Sequence, residues 1–284
     1  AGMSPRKYRW LKNKGYKKLD FWDIPSSNYV YININHKKIP FNDKRVRKAL
    51  SLLIPRRDIL KYKLHNTATL ATGLFSPAFN YFYYPKLPID EYRPYEARKL
   101  LEDAGFVLNE AGKFTRNGKL LTIDWKVSSN RASLEMVETI KSYYEKAGLT
   151  VDITVLEWGS FMKGFKKGRY DLVLAQWVGF TGPEMLKNVF HSGSFPPKGA
   201  NRGKYKNKFV DAKIDIATNE IDRKMRNRLY KEAYLAAIDD YAYINLWHPN
   251  TIWVGKKCIK DIKLYSNGSF NALLNLKNQC KEDL

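Results

Sequence analysis

Residues 119–156 read KLLTIDWKVSSNRASLEMVETIKSYYEKAGLTVDITVL, and this stretch decides the fold class. Apolar residues alternate with polar ones over 121–127 and again over 151–155, which is typical of strands. Between them, apolar residues share one helical face from 134 to 147, and Gly148 suits the helix end. A strand, a helix and a second strand in this order predict a parallel βαβ unit.

The neighbouring segments extend this alternation of helices and strands. A short helix over 160–167 precedes the apolar strand YDLVLAQWV (170–178), and two helices later comes the strand YAYINLW (241–247). Near the start of the chain, YVYINI (29–34) is another apolar strand-length run. The predicted class is therefore α/β, with a mostly parallel or mixed sheet flanked by helices.

The region before the βαβ unit contains two predicted helices and a loop. Asn42 and Asp43 are residues that favour a helix start, and Pro94 and Gly105 suit the first turn and the stop of a second helix. The segment 75–94 is rich in aromatic residues and proline but has no helical or strand period. An ordered loop is expected there.

Composition bounds the class of protein. The chain has 284 residues, of which 44% are hydrophobic, and 50 lysines and arginines face 28 acidic residues for a formal charge of +22. The cations are spread from Lys7 to Lys281 without an arginine-rich arm, so nucleic acid is not the expected partner. The positive charge is instead explained by a solvated basic surface that faces anionic lipid or cell wall.

Export and redox state are read from the start of the chain and from two cysteines. The first residues, AGMSPRKYRW, lack the apolar core of a signal peptide, so any export signal is expected to be removed or to lie upstream. Cys258 and Cys280 are compatible with one disulfide or with two buried thiols. The spacing does not choose between these two states.

No catalytic constellation is recognisable. The sequence contains no GxSxG, Walker or GxGxxG motif, and its adjacent acidic pairs fall on solvated helix faces. The four histidines have no spacing that would suit a metal; they are His36, His65, His191 and His248. We therefore expect no enzyme activity, no metal and no cofactor.

A family resemblance follows from the order of several motifs. Residues 31–60, YININHKKIPFNDKRVRKALSLLIPRRDIL, resemble the signature of solute-binding proteins of peptide, dipeptide and nickel ABC transporters, with Pro55 at the usual aspartate position. Four further segments resemble the family in the same order: YEARKLLEDAG (95–105), LEWGSFMKGFKKGRYDLVLAQWVG (156–179), NRGKYKNKFVDAKID (201–215) and MRNRLYKEAYLAAIDDYAYINLW (225–247). The resemblance covers nearly all of residues 28–275.

This resemblance implies a type II periplasmic-binding-protein lobe in a two-lobed protein that closes on its ligand by hinge motion. The chain looks like the C-terminal half, with residues 1–32 as a remnant of lobe one and hinge strand, 33–253 as lobe two, and 254–284 as return strands. Implied partners are a peptide-like small ligand, the missing N-terminal lobe and an ABC permease. The implied location is the periplasm or cell envelope.

The resemblance also implies ligand contacts. Trp158 and Trp177 match tryptophans that line the ligand cleft in the family, although both could equally be ordinary core or rim aromatics. Val178 and Gly179 follow Trp177 where the family's backbone pairs with an extended peptide, and such strand addition tolerates many side chains. Arg131 falls where relatives can place a cation for the ligand carboxylate, but it could be an ordinary surface residue.

Two further positions depart from the family pattern. Phe180 stands where peptide binders keep an aspartate for the ligand ammonium, and Gly182 replaces a frequent second acid. Because an unpaired buried ammonium is costly, a blocked, uncharged-amine or anionic ligand is expected. Asn201 is also included among the candidate ligand contacts, because it resembles a residue of a family loop, although that residue is more often scaffold than contact. The alternative function is a family-derived binding or regulatory module for anionic partners such as nucleic acid or envelope polymers.

Overall fold

The computed structural model describes residues 3–79, 82–179 and 182–280. The helices, in chain order, are α1 (Pro5–Asn13), α2 (Lys44–Leu52), α3 (Arg56–Asp58), α4 (Pro94–Asp103), α5 (Arg131–Lys146), α6 (Trp158–Lys167), α7 (Met185–Phe190), α8 (Lys208–Asn219) and α9 (Arg223–Asp239). Helix α3 continues into a π-helical turn, and two 3₁₀ turns occur later; these three turns span Ile59–Lys63, Ser192–Ser194 and Phe270–Leu273.

The strands, in chain order, are β1 (Leu19–Pro25), β2 (Tyr29–Ile34), β3 (Ala68–Leu70), β4 (Val107–Leu108), β5 (Phe114–Arg116), β6 (Lys119–Leu120), β7 (Thr122–Ser128), β8 (Thr150–Leu156), β9 (Leu172–Trp177), β10 (Tyr243–Lys256), β11 (Ile259–Lys260) and β12 (Lys277–Asn278). The main sheet has seven strands in the order β1-β10-β2-β9-β7-β8, and β3 also pairs with β10. Strand β7 runs parallel to β8 and β9, while the other pairings are antiparallel. The prediction of a mixed sheet in an α/β fold is confirmed.

The predicted βαβ unit is present as β7, α5 and β8. Strands β7 and β8 pair in parallel over their whole length, with Trp125 opposite Ile153. Helix α5 begins where the Asn130 side chain accepts a hydrogen bond from the Ser133 N–H at 3.0 Å. It ends before Gly148, whose φ of +95° is a conformation that glycine adopts without strain. The local turn chemistry therefore sets both limits of the crossover helix.

Both faces of the sheet are covered. Helices α2, α4 and α5 pack on one face, where Ile32, Trp125 and Leu172 are buried. Helices α7, α8 and α9 pack on the other, where the rings of Tyr31 and Tyr243 lie 4.1 Å apart. Because β-strand side chains alternate between faces, β2 contributes to both cores.

Three other predictions concern loops and ends. Between β3 and α4 the described residues form no helix or strand, as expected from the aromatic, proline-bearing sequence. Cys258 and Cys280 form a disulfide next to the β11-β12 pair, which settles the choice left open by the sequence. Among the residues described, no helix combines the length and apolar character needed to cross a bilayer.

Candidate functional site

A cavity of about 620 Å³ opens where two neighbouring strands separate. Strand β9 pairs with β7 only at Leu172 and Val173, whereas β7 continues beside β8 to Ser128. The last residues of β9 thus lose their partner on this side. The opening is bounded by the start of α5, by α6 and by the end of β9.

One wall of the cavity is the aromatic face of α6. The Glu157 side chain accepts a hydrogen bond from the Gly159 N–H at 2.8 Å, so the helix starts two residues earlier than the sequence predicts. Trp158, Phe161 and Phe165 then lie on one helical face, and all three line the cavity. Trp158 is 61% exposed and its ring stacks on Phe161 with 5.8 Å between ring centroids.

The opposite wall is the end of β9. Trp177 is half-buried and lies parallel to the ring of Tyr31 at 6.2 Å, while Val178 is 64% exposed; both line the cavity. Burial raises the pKa of Tyr31 well above its ordinary value, so this phenol stays neutral beneath the wall. The predicted position of Trp177, at a strand end facing an open groove, is confirmed.

The backbone of β9 offers a free edge to the cavity. Residues 174–177 pair with β2 on one side, from Ile32 opposite Leu174 to Tyr29 opposite Trp177. Among the described strands, none pairs with these four residues on the other side. Unpaired backbone N–H and C=O groups on such an edge can accept an additional strand.

The cavity wall also contains a cation that sequence reasoning missed. The guanidinium carbon of Arg202 lies 4.9 Å from the ring centroid of Trp177 and 5.0 Å from that of Phe165. Of the described lining residues, Arg202 is the only one with a charged side chain. Its position directly after Asn201 in the family-like loop is the one sequence signal that could have found it.

Asn201 itself is scaffold, contrary to its inclusion among the ligand contacts. It is only 1% exposed, and its side-chain amide donates to the carbonyls of Phe190, His191 and Tyr205 at 2.9–3.2 Å. These bonds occupy the amide and leave nothing to face a ligand. Asn201 therefore fixes the loop that carries Arg202.

Arg131 does not line the cavity. It is the first residue of α5, its side chain is 92% exposed, and it pairs with Glu135 one turn later at 2.7 Å. That ion pair lowers the pKa of Glu135 and holds the guanidinium along the outer surface of the helix. The expectation that Arg131 faces the ligand is not supported, because its neighbours Asn130 and Ala132 occupy the wall instead.

The remaining predicted contacts lie just beyond β9. Gly179 has a φ of +71° and does not line the cavity, and a Cβ at this position would meet no atom within 4 Å. The chain turns there, so Gly179 directs the backbone rather than forming the wall. Phe180 lies outside the described residues, and the argument from its side chain stays a prediction.

The described residues contain no group of three or more histidine, cysteine or carboxylate side chains that could hold a metal ion. Burial lowers the pKa of His36 to about 3 and that of His248 to about 4, so both imidazoles should stay neutral near pH 7. The chemistry offered by the cavity is thus aromatic contact, strand pairing and one cation.

Comparison with known proteins shows the family to which the chain belongs. Residues 3–196 match the family described as "Bacterial extracellular solute-binding proteins, family 5 Middle". The chain belongs to this family. The family is one of extracellular proteins of bacteria, in agreement with the predicted resemblance.

Three family 5 relatives illustrate the range of similarity. The oligopeptide-binding protein AppA of Bacillus subtilis is 28% identical over 228 residues, which are 78% of this chain and 42% of AppA. The glutathione-binding protein GsiB of Salmonella paratyphi A is 29% identical over 76% of this chain and 41% of GsiB. The structure of NikZ from Campylobacter jejuni in complex with Ni(L-His) has 25% identity and a TM-score of 0.79, covering 94% of this chain and 54% of NikZ.

The chain thus spans about two-fifths to one-half of the length of these family 5 relatives. The structure of AppA itself, in complex with a nonapeptide, covers 93% of this chain with a TM-score of 0.79. The relatives are named as binding proteins, and these names favour solute binding over the alternative of a module for anionic polymers. They name different ligands, so the ligand of this chain must be argued from its own cavity.

Proposed function

We propose that this family 5 chain is the C-terminal ligand-binding lobe of an ABC-transporter substrate-binding protein, and that its cavity holds an extended, peptide-like solute for delivery to a membrane permease. The observation that carries this proposal is the free edge of β9 beside the aromatic wall of α6. An extended backbone can pair with that edge while its side chains alternate between the wall and the open side.

The proposed division of the chain places residues 33–253 in the ligand-binding lobe. Residues 19–25 pair with 250–256 in a ribbon formed by β1 and the second half of β10. Three of these pairs, Leu19 with Lys256, Asp20 with Gly255 and Phe21 with Val254, join the proposed terminal segments 1–32 and 254–284, which lie at opposite ends of the sequence. In a two-lobed protein, a first lobe joined to this ribbon would close over the cavity by hinge motion.

A periplasmic or envelope location is part of the proposal. The disulfide between Cys258 and Cys280 supports it, because disulfides persist in oxidising compartments and are rare in the bacterial cytosol. The proposed permease would then receive the ligand at the outer face of the inner membrane.

Backbone N-methylation tests strand addition directly. We expect N-acetyl tetrapeptides, titrated calorimetrically into the 284-residue chain, to lose at least about tenfold in affinity when methyl groups replace the N–H donors of alternate residues that face β9. Methylation of the intervening residues should have little effect, since alternate N–H groups of a strand point to opposite sides.

Two tryptophan variants locate the binding site. Trp177→Ala should weaken binding about tenfold or more, because a bound peptide loses an aromatic contact surface. The control is Trp10→Ala, since Trp10 is half-exposed on α1 and does not line the cavity. Equal affinity of the two methylated peptide series, or equal effects of the two variants, would contradict the proposed site.

A further inference from the structure

Arg202 differs from most arginines, because an arginine without a hydrogen-bond or ion-pair partner is unusual at a partly buried position. Arg202 is half-buried, and its guanidinium makes no ion pair and no hydrogen bond within residues 3–79, 82–179 and 182–280. Its neighbours are two rings, Phe165 and Trp177, which hold the guanidinium by cation-π contact and leave its N–H donors unused.

The position of Arg202 is fixed by the scaffold around it. The Tyr170 hydroxyl donates to the Arg202 carbonyl at 2.8 Å, and the Arg202 N–H donates to the Ala200 carbonyl at 2.8 Å. Asn201 is locked in the core by its own three backbone contacts. Little conformational entropy therefore remains to be lost when the guanidinium meets a ligand.

The rest of the wall sets the charge balance of the site. The described lining residues include no aspartate and no glutamate, and their polar side chains are short or uncharged, such as Ser128, Asn130 and Gln176. A ligand ammonium would find no charge partner on this wall, whereas a ligand anion would find Arg202. Planar guanidinium donors match a carboxylate in a two-point arrangement.

From this arrangement we propose that Arg202 is the specificity-determining anchor for a ligand carboxylate, with the apolar or aromatic body of the ligand lying along the face of α6. This inference rests on the proposed solute-binding function and deepens it by naming the ligand class. It assigns the anionic contact to Arg202 and removes it from Arg131, which is paired with Glu135 on the helix surface.

The test uses a pair of peptides that differ only at the anchored end. N-acetyl-Ala-Phe-Ala with a free carboxylate and the same peptide with a C-terminal amide are titrated into the 284-residue chain by calorimetry. We expect the acid to bind about tenfold or more tightly than the amide. The reason is that a hydrogen bond to a charged acceptor is about twice as strong as one to a neutral acceptor.

Three variants assign that preference to a residue. Arg202→Gln should abolish the preference, so that the acid and the amide bind to this variant with equal affinity. Arg202→Lys should keep part of the preference, because a lysine is a point charge without the planar fork. The control Arg131→Gln removes the same charge from the neighbouring helix and should leave the preference unchanged.

The outcomes separate the two proposals. An acid preference that survives in Arg202→Gln, or that disappears in Arg131→Gln, overturns the anchor while leaving solute binding intact. Equal binding of acid and amide to the unsubstituted chain does the same. If neither peptide binds to the unsubstituted chain, the proposed function of the cavity fails and the anchor fails with it. A circular dichroism spectrum equal to that of the unsubstituted chain shows that Arg202→Gln is folded.

Discussion

Two regions of the molecule use arginine in opposite ways. In the core beside α2, the guanidinium of Arg56 donates to the carbonyls of Ser51, Asp90 and Asn245 at 2.8–3.1 Å and to the Ser51 hydroxyl. On the cavity wall, the guanidinium of Arg202 contacts the faces of two rings and makes no hydrogen bond or ion pair with the part of the chain that the structure describes. One guanidinium is saturated by the protein, and the other keeps its donors available.

Arg47 resembles Arg56 in that backbone carbonyls accept hydrogen bonds from its guanidinium. It is buried and donates to the carbonyls of Phe41, Asn42, Asp240 and Tyr241. Burial lowers the pKa of Arg47 and of Arg56, yet an arginine stays charged at any physiological pH. Such a charge is tolerated in the core only because carbonyl dipoles replace water. The comparison teaches that hydrogen-bond saturation, rather than burial alone, separates a structural arginine from one that can bind a ligand.

The largest effect is expected from a substitution of Arg56, whose guanidinium nitrogens all donate hydrogen bonds within the core. Arg56→Ala removes the guanidinium donors from the carbonyls of Ser51, Asp90 and Asn245, and it should reduce the free energy of unfolding by about 3–5 kcal/mol. Urea unfolding monitored by circular dichroism measures the change.

The matched variant is Arg202→Gln, which removes the same side chain from the cavity wall. Two cation-π contacts are lost, each worth about 0.5–1 kcal/mol, so the free energy of unfolding should fall by about 1–2 kcal/mol, well below the loss expected for Arg56→Ala. Similar losses of stability in the two variants would show that Arg202 is as structural as Arg56 and would erase the distinction between the regions.

The fold could be predicted from the sequence because its signals are local. The alternation in 121–127 and 151–155, the helical face between them and the stop at Gly148 each act within a few residues, and together they specify β7, α5 and β8. Helix α6 starts two residues earlier than the sequence predicts, because Glu157 accepts the first helical N–H groups at a cap position where serine, threonine, aspartate or asparagine is usual.

The site was harder to predict because it depends on direction and distance. Trp158, Trp177 and Val178 reach the wall as expected, since a helix start and a strand end both project into the opening. The prediction that Arg131 faces the ligand is not supported, because this first residue of α5 points outward and pairs with Glu135 one turn later. Arg202 comes from a loop with no period, so nothing local predicts that it lies over Trp177.

The imidazole of His248 is a third case to set beside the two arginines. It is buried with fewer hydrogen-bond partners than Arg56, and it stays uncharged. His248 is buried, with Nδ1 2.9 Å from the Asn28 carbonyl, and burial lowers its pKa to about 4. Between this value and the unfolded pKa of about 6.5, the unfolded state binds more protons, so stability is lost as pH falls through that window.

The effect of His248 should reach about 2 kcal/mol between pH 7 and pH 5, given a slope of about 1.4 kcal/mol per pH unit. Urea unfolding at the two pH values, in the unsubstituted chain and in His248→Asn, isolates this residue. The variant should lose about 2 kcal/mol less than the unsubstituted chain over this range. An identical pH dependence would mean that His248 accepts a proton in the folded protein as readily as in the unfolded one.

The smallest expected effect concerns the many cations outside both regions. Lysines and arginines number 50 and are spread along the whole chain, so duplex DNA should bind weakly, with a Kd of about 10⁻⁶–10⁻⁴ M near physiological salt, and without sequence preference. Fluorescence anisotropy with two unrelated duplexes, repeated over a salt series, measures both affinity and slope. Because Arg202 lies in a cavity wall among aromatic rings, Arg202→Gln should change the slope of log K against log salt by less than about 1, the contribution of one phosphate contact. Tight binding that discriminates between the duplexes and is lost in Arg202→Gln would make the free guanidinium a nucleic-acid contact, and the carboxylate anchor would have to be abandoned.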